Sequence, residues 1–293
     1  MPARIRRQHA WQRAVGWLVA PIWVPAAAIV LRLGFGYRIH DVAEARRSFA
    51  RLRSDSSGPL LICANHLTLI DSFLIAWALS PTWRYVVQYD SLPWNTPEET
   101  NFAGTRLARL LVFLAKCIPI RRGGSREDVA EVLDRVTYLL GRGETALLFP
   151  EGGRSRTGKI CDEKAAWGVG RIVGAIDGCQ VVCVYLRGEN QSTWSRYPAR
   201  GDRLHVSLTR IEPKSDARGV RRSRDLTLQI LSQNIEERKV WMKMILEKLK
   251  KCKEIVLSEP NNKRLDVCKK NLSSECIDTK NHKINENSFD LIF

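Results

Sequence analysis

Between Leu60 and Leu208 short apolar runs alternate with stretches of helical periodicity, and this alternation is the strongest constraint on how the chain folds. Strands are expected at Leu60 to Ala64, Arg84 to Gln88, Cys117 to Ile120, Ala146 to Phe149, Val181 to Leu186 and Leu204 to Leu208. Helices are expected at Asp71 to Leu79, Thr105 to Lys116, Glu127 to Leu140 and Lys164 to Ile176. Ser125 and Asp128 form an approximate capping box ahead of the third. The order implies an α/β fold with a largely parallel, helix-covered sheet, whose polar groups gather in loops at the strand ends. The segment Arg106 to Leu114 is strongly apolar. It reads as core, with a tunnel wall or a membrane-facing ledge as the alternatives.

Two motifs stand at such strand ends. The first, Asn65-His66-Leu67-Thr68-Leu69-Ile70-Asp71, offers a neutral imidazole to take a proton from a hydroxyl. Asp71 is placed to fix the other ring nitrogen if the chain turns back on itself. The plain alternative is that Asp71, with Asn65, caps the following helix and His66 is an ordinary loop histidine. The second motif, Phe149-Pro150-Glu151-Gly152-Gly153-Arg154-Ser155-Arg156-Thr157-Gly158, joins a glycine turn to arginines. Backbone N–H groups in such a turn can meet an anion, and Arg154 or Arg156 can grip phosphate oxygens. Between them lies the basic turn Ile118-Pro119-Ile120-Arg121-Arg122-Gly123-Gly124, which as a lone feature is equally a solvated surface turn. Together the two motifs read as acyl transfer to a phosphorylated alcohol.

The ordered set NHLTLID, IPIRRGG and FPEGGRSRTG resembles the first three sequence blocks of the glycerolipid acyltransferase family, typified by lysophosphatidic acid and glycerol-3-phosphate acyltransferases. The resemblance spans much of Gly58 to Leu186. It implies His66 as catalytic base, Asp71 as its partner, and Arg121 or Arg122, Glu151, Gly152 and Arg154 around the acceptor's phosphate. The family often carries a proline in a fourth block, where this chain has Val181-Val182-Cys183-Val184-Tyr185. The GGRSRTG form is closer to the glycerol-3-phosphate and dihydroxyacetone-phosphate branches, which leaves the acceptor open. The reaction implied is transfer of a fatty acyl group from acyl-CoA or acyl carrier protein to a glycerol-phosphate hydroxyl, foremost that of 1-acyl-sn-glycerol-3-phosphate. Glycerol-3-phosphate as acceptor, or a non-catalytic membrane-binding scaffold of the same fold, are the alternatives. No metal or redox cofactor is required.

Other chemistries fit less well. Gly153 to Lys159 matches GxxxxGK, but Ile160 follows, where a phosphate loop needs a hydroxyl for magnesium; Asp90 is the acidic residue that reading would enlist. Ser155 lacks the second glycine of GxSxG. The formal net charge of +16 favours acidic partners, and with no recognisable nucleic-acid motif an anionic membrane surface is the expected one. The eight cysteines show no regular framework and are expected as reduced thiols, without zinc.

Residues 1–40 form the expected membrane-associating segment. Arg4, Arg6, Arg7 and Arg13 precede an apolar stretch, Ala14 to Leu31, with Trp11, Trp17 and Trp23 and two prolines, Pro21 and Pro25. Arginines also follow it, so a kinked or interfacial segment on the cytoplasmic face is expected over a full span, and over a signal peptide. Residues 41–238 form the expected acyltransferase domain. Residues 239–293, where lysine replaces arginine as the main cation, are expected as a basic amphipathic helix and flexible tail.

Overall fold

The computed structural model describes residues 1–55, 58–102, 105–121, 123–160 and 167–258. Helix α1 (Ala3–Ile29) continues into a π-helical turn at Val30–Gly34. Next come β1 (Arg38–Ile39), α2 (Val42–Ser54), β2 (Leu60–Ala64), α3 (Asp71–Leu79) and α4 (Thr82–Val87). β3 (Trp94–Asn95), α5 (Glu99–Phe102), α6 (Arg106–Leu114), α7 (Arg126–Leu140) and β4 (Ala146–Leu148) follow. The order closes with α8 (Gly168–Gly174), β5 (Gln180–Gly188), β6 (Arg203–Ile211) and the long α9 (Gly219–Ser258).

Among the described residues the six strands form one sheet, in the order β1-β6-β5-β2-β4-β3. Its pairs are parallel except β5 with β6, so the sheet is mostly parallel, as its βα alternation requires. Every residue of β2 is buried, because helices cover both faces. Leu61 and Cys63 pack with Val136, Leu140, Ile172 and Ile230 of α7, α8 and α9. Leu60, Ile62 and Ala64 join Phe49, Leu74, Ile75 and Leu79 of α2 and α3 on the other side.

Several expected elements change. Arg84 to Gln88 is not a strand but most of α4; Pro81 precedes its first turn, and the Arg84 N–H bonds the Pro81 carbonyl at 3.1 Å. Short apolar runs do not distinguish the two states by pattern alone. Cys117 to Ile120 makes isolated parallel bridges to Asn95 and Glu98 rather than a regular strand, since Pro119 brings no N–H to a ladder. The helix expected from Lys164 runs over Gly168–Gly174, and Lys164 itself lies outside the described residues. α6 is not core: none of its residues is buried, and Leu107, Leu110 and Leu111 are 65%, 52% and 52% exposed. The capping box of α7 is complete, with Ser125 and Asp128 exchanging bonds of 3.1 and 3.2 Å.

α1 stays helical through Pro21 and Pro25 and buries a single line, His9, Gln12, Gly16, Ala20 and Val24, against the domain. Gln12 Nε2 donates to the carbonyls of Phe113 and Cys117 at 2.9 and 3.2 Å, and Arg13 reaches Asp90 and Glu144. Beneath Arg13, the fully buried Lys116 pairs with Glu144 at 2.6 Å, and the indole N–H of Trp94 donates to the same carboxylate oxygen. The first half of the helix is thus fastened to the domain by polar groups, and Gly16, Ala20 and Val24 continue the contact beyond them. α9 runs without interruption across position 239, and the residues beyond Ser258 lie outside those described.

Candidate active site

Parallel pairing of β2, β4 and β3 brings their outgoing loops to one end of the sheet. The residues after β2 carry His66, those after β4 carry Phe149 to Gly158, and Thr96, Pro97 and Glu98 follow β3. The bridge from Glu98 to Ile120 adds Arg121 to the same end. These segments surround a cavity of about 560 Å³. Its polar groups include His66, Arg121, Gly152, Gly153 and Arg154, and its apolar wall is built from Phe73, Leu111, Val112, Ile120, Leu133 and Trp167 among others. A size and lining of this kind suit a ligand with an aliphatic part and a charged part.

His66 and Asp71 come together as the spacing suggested. Asp71 stands in the first turn of α3, buried, with Oδ2 3.0 Å from His66 Nδ1. The same oxygen accepts the N–H groups of Leu67 and Thr68 at 2.6 and 2.7 Å, and Oδ1 accepts the Thr68 hydroxyl at 2.5 Å. The carboxylate therefore closes the loop ahead of α3 rather than capping the helix; the N-cap is Ile70, with no side-chain bond. Such a closed loop fixes the direction of the ring, and an N–H at Nδ1 leaves Nε2 as the imidazole's acceptor. Asn65 is not a cap either: its amide bonds both the N–H and the carbonyl of Leu186, tying the end of β2 to β5.

The second motif grips His66 from the other side. The Phe149 ring stacks on the imidazole with centroids 4.0 Å apart and 14° between planes. Glu151 Oε1 accepts the His66 N–H at 3.1 Å, and the Ser155 N–H donates to the His66 carbonyl at 2.8 Å. Burial pushes the Glu151 carboxyl up to about 8, the His66 N–H opposes this, and the Asp71 charge adds to it. Glu151 is absent from the cavity lining, unlike Gly152 and Arg154. Gly152 adopts φ +64°, and its N–H closes a turn onto the Phe149 carbonyl at 2.9 Å. That N–H therefore serves the turn.

Arg154 lies over the Trp194 ring, 4.9 Å from its centroid, while Arg121 pairs with Glu99 at 3.4 Å and is largely exposed. Arg122 lies outside the described residues. The residues following Trp194 brace the first motif, through Ser195 N to Leu67 O and Leu69 N to Arg196 O, both 3.1 Å. The far end of the glycine turn is held by Arg187, fully buried, which donates to the carbonyls of Gly158, Gln191 and Ser192. A Cβ at Gly158 would stand 2.3 Å from the Ser192 carbonyl oxygen, so only glycine fits. Trp241 of α9 covers the Arg187 guanidinium at 4.9 Å.

Sequence reasoning missed Thr68, Phe149, Ser155 and Trp194. Thr68 carried a local signal, a hydroxyl three residues before the carboxylate it meets. The others act across long stretches of chain. The nucleotide-loop reading fails in space as well as in sequence. Asp90 meets Thr145 ahead of β4, the end opposite to Gly153–Lys159. Among the described residues no cluster of metal-ligating side chains occurs, and Cys63, Cys117, Cys179 and Cys183 are free thiols.

The chain thus sets a histidine–carboxylate pair beside a part-apolar, part-basic cavity at one end of a mostly parallel α/β sheet. Residues 42–187 match the family model described as Acyltransferase. The matched stretch, which holds His66, Asp71, Glu151 and Arg154, is similar to an acyltransferase-family domain and supports acyl transfer in general. No curated protein matches the chain.

Proposed function

We propose that this protein transfers a fatty acyl group from acyl-CoA or acyl carrier protein to the free hydroxyl of 1-acyl-sn-glycerol-3-phosphate, forming phosphatidic acid at a membrane surface. The observation that carries the reading is the His66–Asp71 pair in a cavity that also holds an apolar wall and two arginines. His66 Nε2 takes the acceptor's hydroxyl proton while the oxygen attacks the thioester carbonyl carbon. Asp71 holds the ring and stabilises the imidazolium that develops. When the tetrahedral intermediate collapses, the carbon–sulfur bond breaks and the proton passes to the departing thiolate. Arg154 and Arg121 neutralise the phosphate, and the aliphatic chain lies against the apolar wall. α1 lies in the membrane interface on the cytoplasmic side, where CoA thioesters and acyl carrier protein are found.

Arg154→Ala should raise the apparent KM for the phosphorylated acceptor roughly 10–100-fold, the loss of one charge-assisted contact, with a smaller change for monoacylglycerol. Steady-state kinetics with both acceptors checks this, and equal damage to both would make Arg154 structural.

Glu151 acts in this reading as a positioning residue, through the His66 backbone. Its carboxyl ionises near 4.5 when unfolded and at about 8 when folded. Between those values the native state holds a proton that the unfolded chain releases, so stability falls as pH rises through the window. Glu151→Gln keeps an acceptor for the His66 N–H and removes the titration. The fall in Tm from pH 5 to pH 8 should therefore be smaller in the variant, with KM for the acceptor unchanged. A parallel fall in both proteins, or a raised acceptor KM in the variant, would contradict this role.

A further inference from the structure

We propose that α6 is the bilayer-facing wall of the cavity, that its outer face and that of α1 together dock on an anionic membrane, and that the acyl chain enters between them beside Leu111. The inference rests on the acyl-transfer reading only for the last step; the docking stands on the surface itself.

α6 has two apolar faces. Ala108, Leu111 and Val112 line the cavity, while Leu107, Leu110 and Leu111 face outward at half exposure or more. Leu111 belongs to both sets and so stands at the seam between the cavity and the outer face. A helix with no fully buried residue that presents three leucines at half exposure or more is costly in water and at home in the acyl boundary of a membrane.

The neighbouring helix α1 carries an exposed apolar face of its own. Opposite its buried line, α1 exposes Trp11 (67%), Leu18 (74%), Ile22 (76%) and Ile29 (56%), residues spaced seven, four and seven apart and so on one side of the helix. Gln12 joins α1 to the carbonyl of Phe113 at the end of α6, which sets the two helices side by side. α4, packed on α1, adds Trp83 and Val87 at 65% and 70% exposure. The cations accompany the apolar groups. Arg106 and Arg109 are exposed on α6, and Arg4, Arg6 and Arg7 on the first turns of α1. Tryptophan and arginine around exposed leucine and isoleucine match headgroups and acyl chains in turn, and the positive sign selects anionic lipid over a neutral bilayer. A second copy of the chain would set these cations against each other.

The test uses the whole protein and vesicles of phosphatidylcholine with and without phosphatidylglycerol. A photoactivatable lipid in the anionic vesicles should label wild-type peptides containing Leu107 to Leu111 as well as those of α1. Label on α1 alone, equal label from neutral vesicles, or a lipid-free dimer that protects α6, would overturn the proposal. The double variant Leu107→Glu/Leu110→Glu changes neither a cavity residue nor the His66 loop. It should lose at least about tenfold in vesicle binding and in transfer to a bilayer-borne acceptor. Transfer between hexanoyl-CoA and a short-chain, monomeric acceptor should stay within about twofold, as those substrates need no membrane portal. Unchanged vesicle binding by the variant would overturn docking, and equal loss on monomeric substrates would overturn the portal. Wild-type inactivity on every thioester and acceptor pair would refute the acyl-transfer reading instead, while the lipid label would still decide the docking.

Discussion

His66→Ala should lower kcat roughly 10²–10⁴-fold in a protein that remains folded. The loop carrying His66 is held by bonds that alanine keeps: its N–H to Glu151, its carbonyl from Ser155, and the N–H groups of Leu67 and Thr68 on Asp71. Only the ring's bond to Asp71 and its stacking on Phe149 are lost. The Asp71 carboxylate keeps its three remaining donors, so it is not left bare. Loss of rate should thus come with a change in stability of only about 1 kcal/mol. Single-turnover rates and thermal melts on the same preparation check both halves. A folded variant within a few-fold of the wild-type rate would remove His66 from the chemistry.

Glu144→Ala should destabilise the fold by about 3–5 kcal/mol, the cost of leaving a buried charge without its partner. Lys116 is fully buried, in the left-handed region at φ +52°, and its Nζ meets Glu144 Oε2 at 2.6 Å between the Tyr89 and Trp94 rings. Burial already pulls the Lys116 ammonium below the usual lysine range, and the Glu144 charge and hydrogen bond oppose that pull. Removing Glu144 also takes the acceptor from Trp94 Nε1 and one contact from Arg13. The double variant Lys116→Met/Glu144→Leu should lose less than Glu144→Ala alone, since it buries no orphan charge. Chemical denaturation of the set gives the comparison. A Glu144→Ala cost under about 1 kcal/mol would mean that water or another group already solvates Lys116.

β2 and α3 fall where the pattern placed them, because a fully buried parallel strand and its following helix give unbroken local signals. α4 misled, since Trp83 to Val87 is apolar enough for either state and its packing partner, α1, is far away in sequence. β1 and β3 are two residues each, too short to leave a pattern. In the site, His66 and Asp71 were readable because five residues of chain suffice to close their loop. The grip of Glu151 and Ser155 on the His66 backbone was not, because the Glu151 carboxyl and the Ser155 N–H reach main-chain groups of a residue far away in sequence. The place of α6 was misread for a related reason. Its leucines signal burial, and only the fold shows that the cavity takes one side of them and leaves the other outside.

The most direct test of the central claim is product analysis with purified protein in mixed lipid micelles. Labelled acyl-CoA or acyl carrier protein serves as donor, and 1-acyl-sn-glycerol-3-phosphate, glycerol-3-phosphate and monoacylglycerol are offered in turn as acceptors. The account predicts labelled phosphatidic acid with the first acceptor, release of one free thiol per ester formed, and neither from the His66→Ala protein. Free fatty acid in place of ester, or product that persists without the imidazole, would contradict it.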